Sequence, residues 1–181
     1  GGSAANTLAG MAALGRRCGF IGQVAQDQLG QVFTHDLTSL GVAFDTPPSA
    51  GGAPTARCLI LVTPDGQRTM NTFLGASQNL GRESLDAALI ADADILYLEG
   101  YLWNADASRA AMAEAIGMAK TAGRRVAFTL SDTFVVAGHG EDFRRMMAAG
   151  DIDILFANEA ELLELAQQGD FEAALAQVAA Q

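Results

Sequence analysis

Apolar residues recur at two different periods along this chain, and the two periods take turns, which constrains the fold more than any other feature. Residues 4–14 place Leu8, Met11, Ala12 and Leu14 at helical spacing and stop at Gly15. Residues 18–24 read as a short buried strand. Asp27 then stands in a capping position ahead of Leu29, Val32, Phe33, Leu37 and Leu40, whose helical spacing ends at Gly41. The second half repeats the theme. A helix over 84–90 is capped by Ser84, a strand covers 95–98, and a long helix over 106–122 is capped by Asp106. Strands at 126–130 and 152–156 enclose a helix over 141–149, and helices over 161–168 and 171–180 follow. Strands separated by helices predict a layered α/β fold with a largely parallel sheet, since parallel neighbours need a long crossover between them.

One stretch breaks the alternation. Residues 45–76 show no helical period, and Pro47-Pro48 and Gly51-Gly52 punctuate their start. Two strand-like runs, 55–63 and 68–74, flank Pro64-Asp65-Gly66-Gln67. Proline presets φ and glycine accepts a positive φ, so this is a β-hairpin signal with a mechanism. A separate, protruding small sheet is expected; an edge hairpin on the main sheet is the alternative. The division follows: 1–44 and 76–181 as parts of the core, 45–75 as an inserted hairpin.

Three strands of the second half end in polar residues: Glu99, then Ser131-Asp132, then Asn158 with Glu161. Ligands of open parallel sheets bind outside the carboxyl ends of the strands, so strands lying side by side would gather these residues in one crevice.

Composition excludes several classes. The net charge is −10, and Lys120 is the only lysine among eleven basic residues spread along the chain. A nucleic-acid binder needs a concentrated positive face, so no nucleic-acid partner is expected. An anionic nucleotide remains compatible, because backbone N–H groups or a metal ion can hold it locally. No run reaches the roughly 18 apolar residues of a membrane span, and no membrane partner is expected. Cys18 and Cys58 lie in no metal-ligand spacing and read as small buried hydrophobes. A cytoplasmic location is expected. The chain opens Gly1-Gly2-Ser3 without a methionine and ends in an uncapped helical pattern, so truncation at both ends is expected.

Familiar catalytic motifs fail. Lys120 sits inside a helix and not in a phosphate loop, and Gly138-His139-Gly140 lacks a third glycine and a preceding strand. There is no Gly-x-Ser-x-Gly elbow. His35, on the solvent side of its helix, and His139, placed in a loop, share no ligand spacing. What remains is Gly1-Gly2-Ser3-Ala4-Ala5-Asn6. Two glycines before a helix let the backbone approach a ligand, and Asn6 one turn in can meet a pair of hydroxyls. A plain Gly-rich start with an exposed Asn6 is the alternative.

The whole pattern resembles the ribokinase/PfkB carbohydrate kinase family. Gly-Gly-Ser-Ala-Ala-Asn, a helix ending Ala-Leu-Gly, and Gly22-Gln23-Val24-Ala25-Gln26-Asp27-Gln28-Leu29-Gly30 look like its first signature. The hairpin matches its lid, and Asn158-Glu159-Ala160-Glu161 matches its Asn-x-x-Glu motif. Thr55-Ala56-Arg57-Cys58 with 68–75 is similar to the adenosine-kinase-like bacterial branch. The resemblance implies a three-layer α/β/α sandwich with a mostly parallel sheet and a small lid sheet. It implies an ATP- and Mg²⁺-dependent kinase acting on a primary hydroxyl of a nucleoside or sugar. Gly1, Gly2, Asn6 and Glu99 would bind the acceptor. Asn158 and Glu161 would position the nucleotide phosphates, with Glu161 at the metal, partly through water. Bland alternatives stand beside these: a solvated loop acid for Glu99, a first-turn acid for Glu161. Asp132 reads as a helix cap. A homodimer through the lid is a further expectation.

One departure bears on activity. The family's Asp-Thr-x-Gly-Ala-Gly-Asp motif, whose last aspartate is the catalytic base, does not occur in the 181 residues. No catalytic residue is therefore assigned, and the segment is expected to be inactive alone. The competing readings are a non-catalytic sugar- or nucleoside-binding sensor on the same fold, and an unrelated flavodoxin-like domain without a lid.

Overall fold

A computed structural model describes residues 2–180, in two compact units that meet in sequence between Asp86 and Ala87. Gly1, expected at the acceptor, lies outside the described residues.

In the first unit, helix α1 (Ser3–Ala13) leads to strand β1 (Cys18–Gly19), helix α2 (Gln28–Ser39) and strand β2 (Val42–Ala43). The strand expected over 18–24 shrinks to two paired residues, parallel to β2, a strand the sequence did not announce. Beyond it the chain runs on extended, with Val24 and Ala25 buried and Ala25 bridging to Ser49. Ala5, Val24, Leu37, Val42 and Phe44 form the core, and Phe20, Phe33 and Phe44 meet edge-on or tilted within 5.7 Å. Cys18 packs against this cluster, half-buried.

The two strand-like runs pair as a hairpin. Strands β3 (Arg57–Val62) and β4 (Arg68–Phe73) pair antiparallel from Arg57↔Phe73 to Val62↔Arg68 and form a sheet of their own. Gly66 takes φ +82°, and the Thr63 hydroxyl donates to the Asp65 carboxylate inside the turn. At the open end the Arg57 guanidinium lies 4.9 Å from the centre of the Phe73 ring, a cross-strand cation–π pair. Leu59, Leu61, Val62 and Met70 are exposed, so the strands owe their order to the turn and the ladder and not to a core.

Residues Arg82–Ser84 form a 3₁₀ turn. Ser84 caps no helix; its hydroxyl donates to Gln23 Oε1 instead. In the second unit, α3 (Ala87–Asp92), β5 (Ile95–Glu99), α4 (Asp106–Thr121), β6 (Arg125–Thr129), α5 (Thr133–Ala148), β7 (Ile154–Phe156), α6 (Glu159–Ala166) and α7 (Phe171–Ala179) follow in order. Strands β5, β6 and β7 form a parallel sheet with β6 in the centre. Asp106 lies inside α4 and pairs with Arg109, while Ala105 is the cap residue, a correction to the expected capping.

Helix α5 begins at Thr133, about two turns before the expected start. Gly138 and Gly140 inside it each cost roughly 1 kcal/mol in a helix. Burial of Val135, Val136, Phe143, Met146 and Met147 outweighs that cost. His139 is accordingly on a helix and not in a loop. Phe128, Phe143 and Trp103 meet in the core with ring centres 5.1–6.1 Å apart. Lys120 and the backbone N–H of Val126 both donate to Asp153 Oδ2, at 2.7 and 2.6 Å, joining α4 to the chain before β7.

Candidate active site

The register of the parallel sheet levels its three carboxyl ends. Glu99 pairs with Thr129, and Thr129 with Phe156. The polar residues that follow each strand therefore leave from one edge, as the strand-end argument requires.

At the end of β5, Glu99 is buried at 8% exposure, and the Tyr97 hydroxyl donates to its Oε1 at 3.4 Å. A buried carboxylate with a hydroxyl partner is no solvated loop acid. Gly100 begins a 3₁₀ turn (Gly100–Asn104), and a Cβ there would stand 2.7 Å from the Leu130 carbonyl oxygen. Only glycine lets this turn pass so close to the end of β6.

At the end of β6 the backbone is strained. Ser131 has φ +72°, and the Asp132 N–H donates to the Leu130 carbonyl at 2.9 Å, closing a γ-turn around it. A non-glycine residue in this region costs about 1–3 kcal/mol and tends to mark functional sites. The turn redirects the chain so that Asp132 caps α5, accepting from the Phe134 N–H. The expected capping role of Asp132 holds.

At the end of β7, Asn158 and Glu161 form a reciprocal capping box on α6. Asn158 Oδ1 accepts from the Glu161 N–H at 2.9 Å. Glu161 Oε1 and Oε2 accept from the side chain and backbone of Asn158 at 2.8 and 3.2 Å. Glu161 is buried at 6% exposure, beyond what a first-turn acid needs.

Tyr101, two residues past Glu99, was missed in the sequence. Its hydroxyl is pushed above the usual tyrosine range, first by burial, then by the negative charges of Asp132, Glu161 and Glu99. All three strand ends thus act electrostatically on one hydroxyl. The signal for it was an aromatic directly after Glu99-Gly100. Its ring lies 6.4 Å from that of Phe134. Behind them the Trp103 indole donates to Asp142 at 3.0 Å, and His139 Nε2 lies 2.9 Å from Asn104 Oδ1. Asp142 sits below the ordinary carboxylate range, chiefly through that indole N–H and despite partial burial.

Among the described residues no three acidic, histidine or cysteine side chains converge to chelate a metal. Mg²⁺ commonly keeps several waters and binds through one or two carboxylates together with substrate phosphates. One buried carboxylate, Glu161, with the charges of Glu99 and Asp132 felt at the same edge, fits that mode.

In the first unit, α1 starts at Gly2 with φ +93°, and no side chain caps it. Asn6 is exposed, its backbone N–H bonded to the Gly2 carbonyl at 3.0 Å. The N-terminus of α1 is therefore a donor-rich end reached through a glycine.

The profile of the pfkB family carbohydrate kinases matches residues 1–181, and the chain belongs to that family. The ATP-dependent ribose-1-phosphate kinase of Halopiger xanaduensis is 32% identical, over 91% of this chain and 52% of the relative. The adenosine kinase of Sinorhizobium meliloti superposes with a TM-score of 0.96 at 47% identity, over 99% of this chain and 55% of that one. A probable sugar kinase of Rhizobium etli gives the same values. The chain spans about half the length of the relatives it matches. The ribokinase-like α/β fold expected from the sequence is the fold observed. Among the described residues no helix is long and apolar enough to cross a membrane.

Proposed function

We propose that the full-length protein transfers a phosphoryl group from ATP, with Mg²⁺, to a primary hydroxyl of a nucleoside or furanose-like sugar. The observation that carries this reading is the level row of strand ends, where Glu99, Asp132 and Glu161 all act on Tyr101. Family membership gives the row its chemistry. The adenosine kinase and ribose-1-phosphate kinase relatives favour a ribose-containing acceptor.

The roles follow residue by residue. Gly2 and Asn6 at the start of α1, with Gly1 before them in sequence, bind acceptor hydroxyls. Glu99 accepts a hydrogen bond from another hydroxyl, its burial keeping water from competing for it. Asn158 orients Glu161, and the two would position the nucleotide phosphates, with Glu161 holding the ion partly through water. Mg²⁺ supplies neutralisation of the charge that develops on the transferred group. The hairpin is a lid, residues 45–75, that excludes water during transfer. Its apolar residues Leu59, Leu61 and Met70 suit a lid-to-lid homodimer. The base that deprotonates the acceptor is assigned to no residue of this chain, which lacks the Gly-Ala-Gly-Asp run.

A substrate panel tests the proposal. Full-length protein is incubated with ATP and Mg²⁺ and with adenosine, other nucleosides, ribose, ribose 1-phosphate, fructose or a ketodeoxy sugar, and ADP release is followed. Turnover on a ribose-containing acceptor is expected. Turnover on none of them overturns the kinase reading, and acceptor binding without turnover identifies a sensor on the same fold.

A further inference from the structure

The Asp27 carboxylate does more than cap α2. Its Oδ1 accepts from the Gly30 N–H at 2.8 Å, which is the cap. Oδ1 also accepts from the Thr55 hydroxyl at 2.6 Å, and Oδ2 from the Thr55 backbone N–H at 2.8 Å. Thr55 stands two residues before β3, and at 5% exposure it is the buried foot of a hairpin whose strands are otherwise largely exposed. Its Oγ1 in turn accepts from the Ala25 N–H at 2.9 Å. The other leg is pinned beside it. The Ala76 N–H donates to the Pro54 carbonyl at 2.9 Å, and a Cβ on Gly75 would stand 2.1 Å from that same oxygen. Gly30 is equally constrained, its missing Cβ leaving room for the Ala25 carbonyl at 2.1 Å.

Both legs of the hairpin thus converge on one small polar knot, and a single carboxylate holds it to the start of α2. A neutral cap of the same length would serve the helix alone, because Asn, Ser and Asp cap about equally well. Only a carboxylate offers acceptors in two directions, one for the hydroxyl and helix N–H, one for the Thr55 N–H. A charged acceptor also makes these bonds stronger than neutral ones.

We propose that Asp27 is a positioning residue, the anchor that sets the angle of the β3–β4 hairpin through Thr55. The role of that angle in acceptor binding rests on the reading of the hairpin as a lid. The anchor itself does not.

Asp27→Asn separates the two jobs, since it keeps the cap acceptor but turns an N–H₂ toward the Thr55 N–H. Thr55→Val removes the hydroxyl from the other side, and Thr55→Ser restores it. Hydrogen exchange is followed by mass spectrometry on full-length protein, with steady-state kinetics in parallel. In Asp27→Asn and Thr55→Val, the amides of Ala25, Thr55 and Ala76 are expected to exchange about tenfold faster or more. Amides within α2 keep their protection, and Thr55→Ser behaves as the parent. Unchanged exchange at the three amides overturns the anchor, as does equal loosening of α2, which would mean a cap alone. Faster exchange together with a raised KM for the acceptor at near-constant kcat supports both anchor and lid. Faster exchange with unchanged kinetics supports the anchor and removes the lid reading.

Discussion

The β3–β4 hairpin and the β5–β6–β7 sheet are both short β-structures, yet they are held together by opposite means. In the parallel sheet, Val126, Phe128 and Leu130 of the central strand and its extension have no measurable exposure, and helices supply the crossovers. In the hairpin every residue of β4 is exposed, and order comes from the Pro-Asp-Gly turn, the ladder and the knot at Thr55. The difference teaches where stability and adaptability reside. Burial makes a platform that keeps three strand ends level, while the hairpin, exposed along its strands, depends on the few bonds at its foot for its position.

The largest effect should come from breaking the platform. Phe128→Ala removes a fully buried ring from the cluster with Trp103 and Phe143 and should cost about 3–5 kcal/mol in chemical denaturation. The single tryptophan, Trp103, reports that transition by its fluorescence. A smaller loss follows at the strand end. Asn158→Ala removes the side-chain half of the capping box, leaving the backbone N–H bond to Glu161, and should destabilise by about 1 kcal/mol. On the kinase reading it should also raise the KM for ATP more than that for the acceptor.

Acid should sharpen the same contrast. Asp27 lies below the ordinary carboxylate range, first through the Thr55 hydroxyl and then through the Thr55 and Gly30 N–H groups. Asp153 also lies below it. Burial alone would raise it, but hydrogen bonds from Lys120 and the Val126 N–H outweigh that. Both folded values are depressed, so the stabilisation is complete above the unfolded value near 4 and is lost as pH falls through the folded ones. Lowering the pH from about 5 to 2 should reduce the melting temperature, and Asp153→Asn should flatten the slope. The protection factor of the Thr55 amide, its exchange corrected for the intrinsic rate at each pH, should fall over the same range. The smallest effect belongs to the hairpin's surface: Leu61→Thr should shift stability by less than about 0.5 kcal/mol in thermal unfolding. If the lids pair, the same variant should weaken dimerisation in sedimentation experiments.

Local chemistry was legible wherever a residue acts within a few positions of itself. Asp27 capping α2, Asp132 capping α5 and the Pro64-Asp65-Gly66 turn could all be read from spacing, because their partners lie within four residues. Errors arose where distant packing overrode a local preference. His139, placed in a loop, lies in α5, whose apolar face the core claimed through Val135, Val136, Phe143, Met146 and Met147. Ser84 and Asp106 had the right chemistry for caps but found other partners. Of the candidate site, Glu99, Asn158 and Glu161 were named from strand ends and resemblance. Tyr101 and the strain at Ser131 were not, since no local pattern reports a charge arriving from another strand.

By itself, then, the sequence determined the alternation of strand and helix, the hairpin and its turn, and the residues at each strand's end. Tertiary structure alone decided that Glu99, Thr129 and Phe156 stand level, that Tyr101 feels three carboxylates at once, and that Asp27 reaches across 28 residues to Thr55. The physical reason is one of range. Propensity, caps and turns are settled within a turn or two of chain, whereas register and buried hydrogen bonds depend on segments whose meeting only the packed core enforces.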